Sequence, residues 1–165
     1  MTVNFTKLAM GTALMAASTL AMAASPATWP VSPSRLHLST PFGTLNVAPS
    51  EYVYESRLRV DAVDVEPAIK GMLNITYAFR TPKAQIALVS INDGNNTCPI
   101  SYRWVVLHAS GYDLSSEFGS CSDQIQVAAK GPLLTLSTPS NEVPGKIDVY
   151  TYDGKTIKRR VTQKP

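Results

Sequence analysis

The sequence is short of the residues that perform chemistry. It holds two cysteines and two histidines, His37 and His108, in 165 residues. A Ser-His-Asp device needs a histidine set between a nucleophile and an orienting acid. Only His108, with Asp113 nearby, approaches that pattern, and no GxSxG elbow accompanies it. Both histidines are therefore read as strand-end side chains half in water, and no catalytic residue is assigned. Glycine-rich phosphate cradles and dinucleotide fingerprints are also missing, so no cofactor is expected. Charge is scarce: 16% of residues are charged and the net charge is +3. That is too weak a field to make nucleic acid an expected partner. Apart from the first residues, no segment has a strong helical period.

Those first residues have a pattern of their own. Lys7 is the only charge among the first 34 residues. An uncharged, mostly apolar run follows from Leu8 to Leu20, and Ala21-Met22-Ala23 supplies small residues ahead of a cut. This predicts a cleavable secretory signal peptide over 1–23. The competing reading, a transmembrane helix, needs ~20 strongly apolar residues. Here the run is short and diluted by Gly11, Thr12, Ser18 and several alanines. The mature chain is expected in the periplasm, or secreted, with no membrane span after cleavage. Residues 24–33, with three prolines, are expected to form an extended arm. Residues 34–165 make one domain's worth of chain, long enough for a core.

Export changes the meaning of the two cysteines. In an oxidising compartment an isolated pair, Cys98 and Cys121, predicts one disulfide. A metal site using both thiols with His108 and His37 would need close pairs such as CxxC, and that spacing is absent. No metal site is assigned.

Turn residues punctuate the mature chain every eight to twelve residues, the spacing of a β-sandwich or barrel-like fold. The expected fold is all-β, antiparallel and stapled by one disulfide. Short strands are expected near Arg35–Leu38 and Thr44–Val47, with a bent strand or strand pair over Glu51–Asp64. A short helical turn has room between Val63 and Ile69. Met72 to Arg80 sets Leu73, Ile75, Tyr77 and Phe79 at a period of two, predicting one shared face. Gln85–Ile91 is compactly apolar. Ser101–His108 carries bulk on both alternations, which predicts a central strand. Further strands are expected over Gln124–Ala128, Leu133–Ser137 and Lys146–Tyr152. Asp153-Gly154 predicts a two-residue type I′ hairpin into Lys155–Val161.

A disulfide between Cys98 and Cys121 would bring together two loops rich in Asn, Asp, Ser and Gly. Loops held over a rigid scaffold commonly carry binding function. The expected binding surface is Asn92, Asp93, Asn95, Asn96, Glu117, Phe118 and Asp123. The same oxygens suit calcium, but the spacing is not that of an EF-hand, and such clusters are usually turns. Most aromatics alternate along strands as packing residues do; Tyr150 and Tyr152 are the pair that a recognition face would use. Lys155, Lys158, Arg159, Arg160 and Lys164 read as a solvated edge strand and tail, since charge protects edges.

The run from Ile91 to Pro99, the run from Glu117 to Asp123 and Tyr152-Asp153-Gly154-Lys155 together resemble small exported proteins of Gram-negative bacteria, mostly uncharacterised. The resemblance covers about the last 80 residues. In style it extends to periplasmic immunity factors and to self-resistance factors against antibiotics such as β-lactams. It implies a non-enzymatic envelope protein that binds a protein or small-molecule partner and protects the cell. A structural or adhesion module of a secretion or pilus assembly and a small hydrolase are the alternatives. Neither partner nor oligomeric state is legible.

Overall fold

The computed structural model describes residues 36–50 and 55–163. The expected leader, the proline-rich arm, Arg35, Glu51–Tyr54 and Lys164 lie outside the described residues. Among the described residues there is no helix, and twelve antiparallel strands form two sheets. The all-β expectation and the Cys98–Cys121 disulfide are both seen.

The first sheet begins with β1 (His37–Thr40), β2 (Gly43–Pro49), β3 (Ser56–Val60) and β4 (Val63–Asp64), followed by β5 (Lys70–Arg80), β6 (Ala84–Asn92), β7 (Ser101–His108) and β8 (Gly111–Leu114). Its order is β1-β2-β3-β5-β6-β7-β8, with β4 paired to β3. Leu45 of β2 and Leu58 of β3 share one buried cluster with Val89 of β6 and Val105 and Leu107 of β7. Strands so far apart in one sheet can meet only if the sheet curls over itself. The β1–β4 half therefore caps one face of β5–β8.

The second sheet has the order β12-β11-β10-β9, from β9 (Gln126–Lys130), β10 (Leu133–Pro139), β11 (Lys146–Tyr152) and β12 (Ile157–Gln163). It covers the other face of β5–β8 through a second core of Phe79, Leu88, Tyr102, Trp104, Phe118, Leu134, Leu136, Tyr150 and Tyr152. Trp104 is fully buried and stacks near Tyr152, with ring centroids 6.4 Å apart. Such offset aromatic pairs add to the area they bury. The β5–β8 layer is thus buried on both sides, which is why β7 carries bulk on both alternations.

Four local expectations are corrected. Leu73, Ile75, Tyr77 and Phe79 do not share a face. Ile75 pairs with Val89 but Tyr77 pairs with Leu88, so Thr76 is an unpaired bulge residue. Since side chains alternate along a strand, one extra residue flips those beyond it. Leu73 and Ile75 enter the first core, while Phe79 enters the second with Tyr77 packed against it. The segment Val63–Ile69 holds no helical turn. It runs beside β3, with Val65 donating to Leu58 and Leu58 to Ile69. The type I′ turn is not at Asp153-Gly154, because Tyr152 pairs with Ile157 across a four-residue loop. Asp153 closes that loop by accepting from the amides of Lys155 and Thr156 at 2.9 and 2.8 Å. A two-residue turn with both φ positive does occur at Asp61-Ala62 (φ 48° and 70°), where Val60 pairs with Val63. Finally, Arg159 is not merely part of a solvated edge. It donates to Glu142 at 2.7 Å and to the fully buried Asp148 at 2.9 Å.

Candidate functional site

The disulfide joins the two expected loops, with the Cys98 and Cys121 Cα atoms 4.6 Å apart. The side chains expected to form one surface have separate partners. Asn92, Asp93 and Asn95 each accept, at 2.9 Å, the backbone amide two residues on. These are local Asx turns, and they shape the loop. Asn96 is exposed. Asn92 and Asp93 line a shallow groove of about 280 Å³ with Glu55 and Lys70. Glu117 instead accepts from the Ser101 hydroxyl at 2.7 Å and meets Arg103 at 3.4 Å. Ser101 and Arg103 share the alternation of β7 that carries Val105 into the first core.

Phe118 is displaced from the expected surface altogether. It is 8% exposed and packs in the second core, 5.4 Å from the Tyr150 ring. It is held there by a two-way backbone pairing with Tyr102. Asp123 is exposed on this other side of β7, near the Tyr102 hydroxyl. That hydroxyl donates to Ser122 O at 2.9 Å. Burial, with help from the Asp123 and Tyr77 charges, pushes it up to about 12. Tyr150 and Tyr152 are likewise buried, so neither forms an exposed recognition face. Among the described residues no three His, Cys, Asp or Glu side chains gather closely enough to hold a metal.

The opposite end of the stack is different. Because Ile91 pairs with Ser101 and Ala84 with His108, the length of β6 separates the two ends. At ~3.4 Å per residue that is roughly 25 Å. Three turns meet at the far end. The first follows Arg80, where the Thr81 hydroxyl donates to Ala84 O and accepts from Ala84 N, both at 3.0 Å. The second is Gly131-Pro132, a two-residue loop between the Lys130–Leu133 pair. Gly131 has φ 59° and proline holds its φ near −65°, the combination of a type II′ turn. The third is the Asp153 loop.

Between these turns lies a cleft of about 600 Å³. Its floor is Ile86, Val106, Leu134 and Tyr152, and its rim includes Arg80, Pro82, Lys83, Pro132 and Asp153. It is larger than the groove of about 350 Å³ beside Leu36, Val47 and Met72. The size and the apolar floor match a small-molecule site. The Tyr152 hydroxyl is pushed up by burial and then by the Asp113 and Asp153 carboxylates. Asp153 is held down to about 2 by the amides of Thr156 and Lys155 and by the Thr156 hydroxyl.

His108 and Asp113 stand beside this cleft. Asp113 pairs directly opposite Val106, and His108 lies two residues beyond Val106 on the same alternation. One ring nitrogen of His108 is 3.0 Å from the Ser110 hydroxyl and the other is 3.1 Å from Asp113. Ser110 sits in the exposed two-residue turn between β7 and β8. The cleft is absent from the sequence-based expectations. Its only local sign is that Thr81-Pro82-Lys83, Gly131-Pro132 and Asp153-Gly154 are all turns, which says nothing of their meeting.

Comparison with protein-family models, with curated proteins and with solved structures gives no match for this chain.

Proposed function

We propose that the chain is a non-enzymatic binding protein of the cell envelope with a protective role, and that it takes a small-molecule ligand into the cleft at the turn end. The observation that carries this reading is the cleft between three turns, where the half-buried Ile86 and Val106 form an apolar floor backed by the buried Leu134 and Tyr152. Apolar surface left open between polar turns gains free energy when a ligand covers it, ~25 cal/mol per Å². The leader and the Cys98–Cys121 bridge support an extracytoplasmic setting. Sequestering a toxin or an antibiotic such as a β-lactam is the protective act this site suits best.

The direct test is fluorescence titration with the neutral apolar probe N-phenylnaphthylamine. Saturable binding that is lost in Val106→Phe and in Pro132→Trp, with both variants still folded, supports the reading. Equal binding by all three proteins, or none by the native protein, sinks it. Deleting the gene and challenging cells with β-lactams and with co-encoded toxins tests the protective role, and unchanged survival counts against it. A hydrolase reading draws on the Ser110–His108–Asp113 contacts. It requires turnover of an activated ester that Ser110→Ala abolishes.

A further inference from the structure

We infer that the cleft takes an anionic amphiphile. An apolar ring or chain rests on the Ile86, Val106, Leu134 and Tyr152 floor, and a carboxylate or sulfonate head is held by Arg80 and Lys83. This rests on the reading of the cleft as the ligand site and specifies the ligand's chemistry. A floor of this composition gives affinity but no preference for charge. The rim supplies the preference.

Arg57, Arg59, Arg103 and Arg159 each meet a carboxylate. Arg80 and Lys83, both on the cleft rim and both exposed, pair with no carboxylate among the described residues. They flank one turn, with Pro82 between them and the Thr81 hydroxyl closing it onto Ala84. That bracing keeps their backbone spacing constant while their side chains stay available.

The two acids nearby are already engaged. Asp153 accepts from the amides of Lys155 and Thr156 and from the Thr156 hydroxyl. Asp113 meets His108. The mouth therefore offers two uncommitted cations over an apolar floor. A neutral apolar molecule would use only the floor, and a cation would find no free carboxylate to pair with. An anion with an apolar body uses both, because Arg and Lys give charge-assisted hydrogen bonds to carboxylate and sulfonate oxygens.

The test compares two probes with the same aromatic body: anilinonaphthalene sulfonate and neutral N-phenylnaphthylamine. Both are titrated into the native protein, into Arg80→Gln/Lys83→Gln and into Val106→Phe. Two partly exposed ionic contacts should favour the sulfonate about tenfold in the native protein. The double charge variant should bring this preference to about twofold or less while neutral-probe affinity holds. Added salt should weaken only the sulfonate. Val106→Phe should weaken both probes.

If the neutral probe binds and the sulfonate is no tighter, the inference falls and the cleft reading stands. The inference falls in the same way if the preference survives the double variant. If neither probe binds, or Val106→Phe changes neither, the cleft reading falls and the inference with it.

Discussion

Replacing Arg159 by alanine strands a carboxylate. Asp148 is fully buried on β11, and its Oδ2 accepts from the Ser120 hydroxyl and from Arg159 Nη2, both at 2.9 Å. Its Oδ1 has no partner, and neither does the hydroxyl of Thr138, which pairs opposite on β10. Among the described residues Arg159 is thus the sole cation paired with this carboxylate. Removing one partner of a fully buried pair typically costs ~3–5 kcal/mol. Two features lower that figure here. The Arg159 side chain is 30% exposed, so water takes up part of its role, and Ser120 still donates. The expected loss is about 2–3 kcal/mol, seen as a drop in Tm of roughly 6–10 °C. Urea unfolding of the native protein and of Arg159→Ala at neutral pH measures it. In the double variant Asp148→Leu/Arg159→Met at least half the loss should return, because the desolvated charge is gone. A cost for Arg159→Ala below about 0.5 kcal/mol, the range of surface substitutions, would refute the claim that Asp148 depends on this cation.

Reducing the Cys98–Cys121 bridge, which spans 23 residues, should lower stability by about 3 kcal/mol. Urea midpoints with and without reductant read this directly, and a loss under about 1 kcal/mol would contradict it. Ala62→Gly should raise stability by about 0.5–1 kcal/mol, since alanine is strained at φ 70° and glycine is not; a lower urea midpoint would argue against strain there. Asp153 is held down to about 2, whereas an unfolded chain titrates at ~3.9. Its support for the β11–β12 loop is therefore complete above about pH 4 and lost as pH falls through about 2. The Asp153 carboxyl resonance should titrate near that lower value, and a midpoint close to 4 would show that the loop hydrogen bonds do not form.

Where structure depends on local pattern, the sequence showed it. Ser101–His108 and Lys146–Tyr152 appear as strands with the expected bounds. Both combine dense alternation with clear turn residues at their ends. The pairing of Cys98 with Cys121 followed from the expectation of export and from there being two cysteines. Other features depended on what lies across space. The Thr76 bulge leaves no mark in a period-two pattern, because the residues on both sides of it are apolar and either face is a core face. Asp153-Gly154 reads as a tight turn, yet the Asp153 carboxylate finds more hydrogen bonds in a wider loop. Asp148 stands between Ile147 and Val149 and carries no sign that Arg159 on the next strand will reach it. Phe118 lies among small polar residues and reads as exposed, whereas its backbone pairing with Tyr102 turns it inward. The cleft is the extreme case, since its walls come from β5–β6, β7, β9–β10 and β11–β12.

The central claim, that the turn-end cleft is the ligand site, is tested most directly by where a ligand-like molecule binds. Backbone amide shifts of the isotope-labelled protein should be followed as N-phenylnaphthylamine is added. Binding in the cleft predicts saturable changes grouped at Lys83, Ile86, Val106, Leu134, Tyr152 and Gly154, with the loops at Asn92–Asn96 and Glu117–Asp123 unmoved. Changes confined to those disulfide-linked loops, or scattered without saturation, would contradict it.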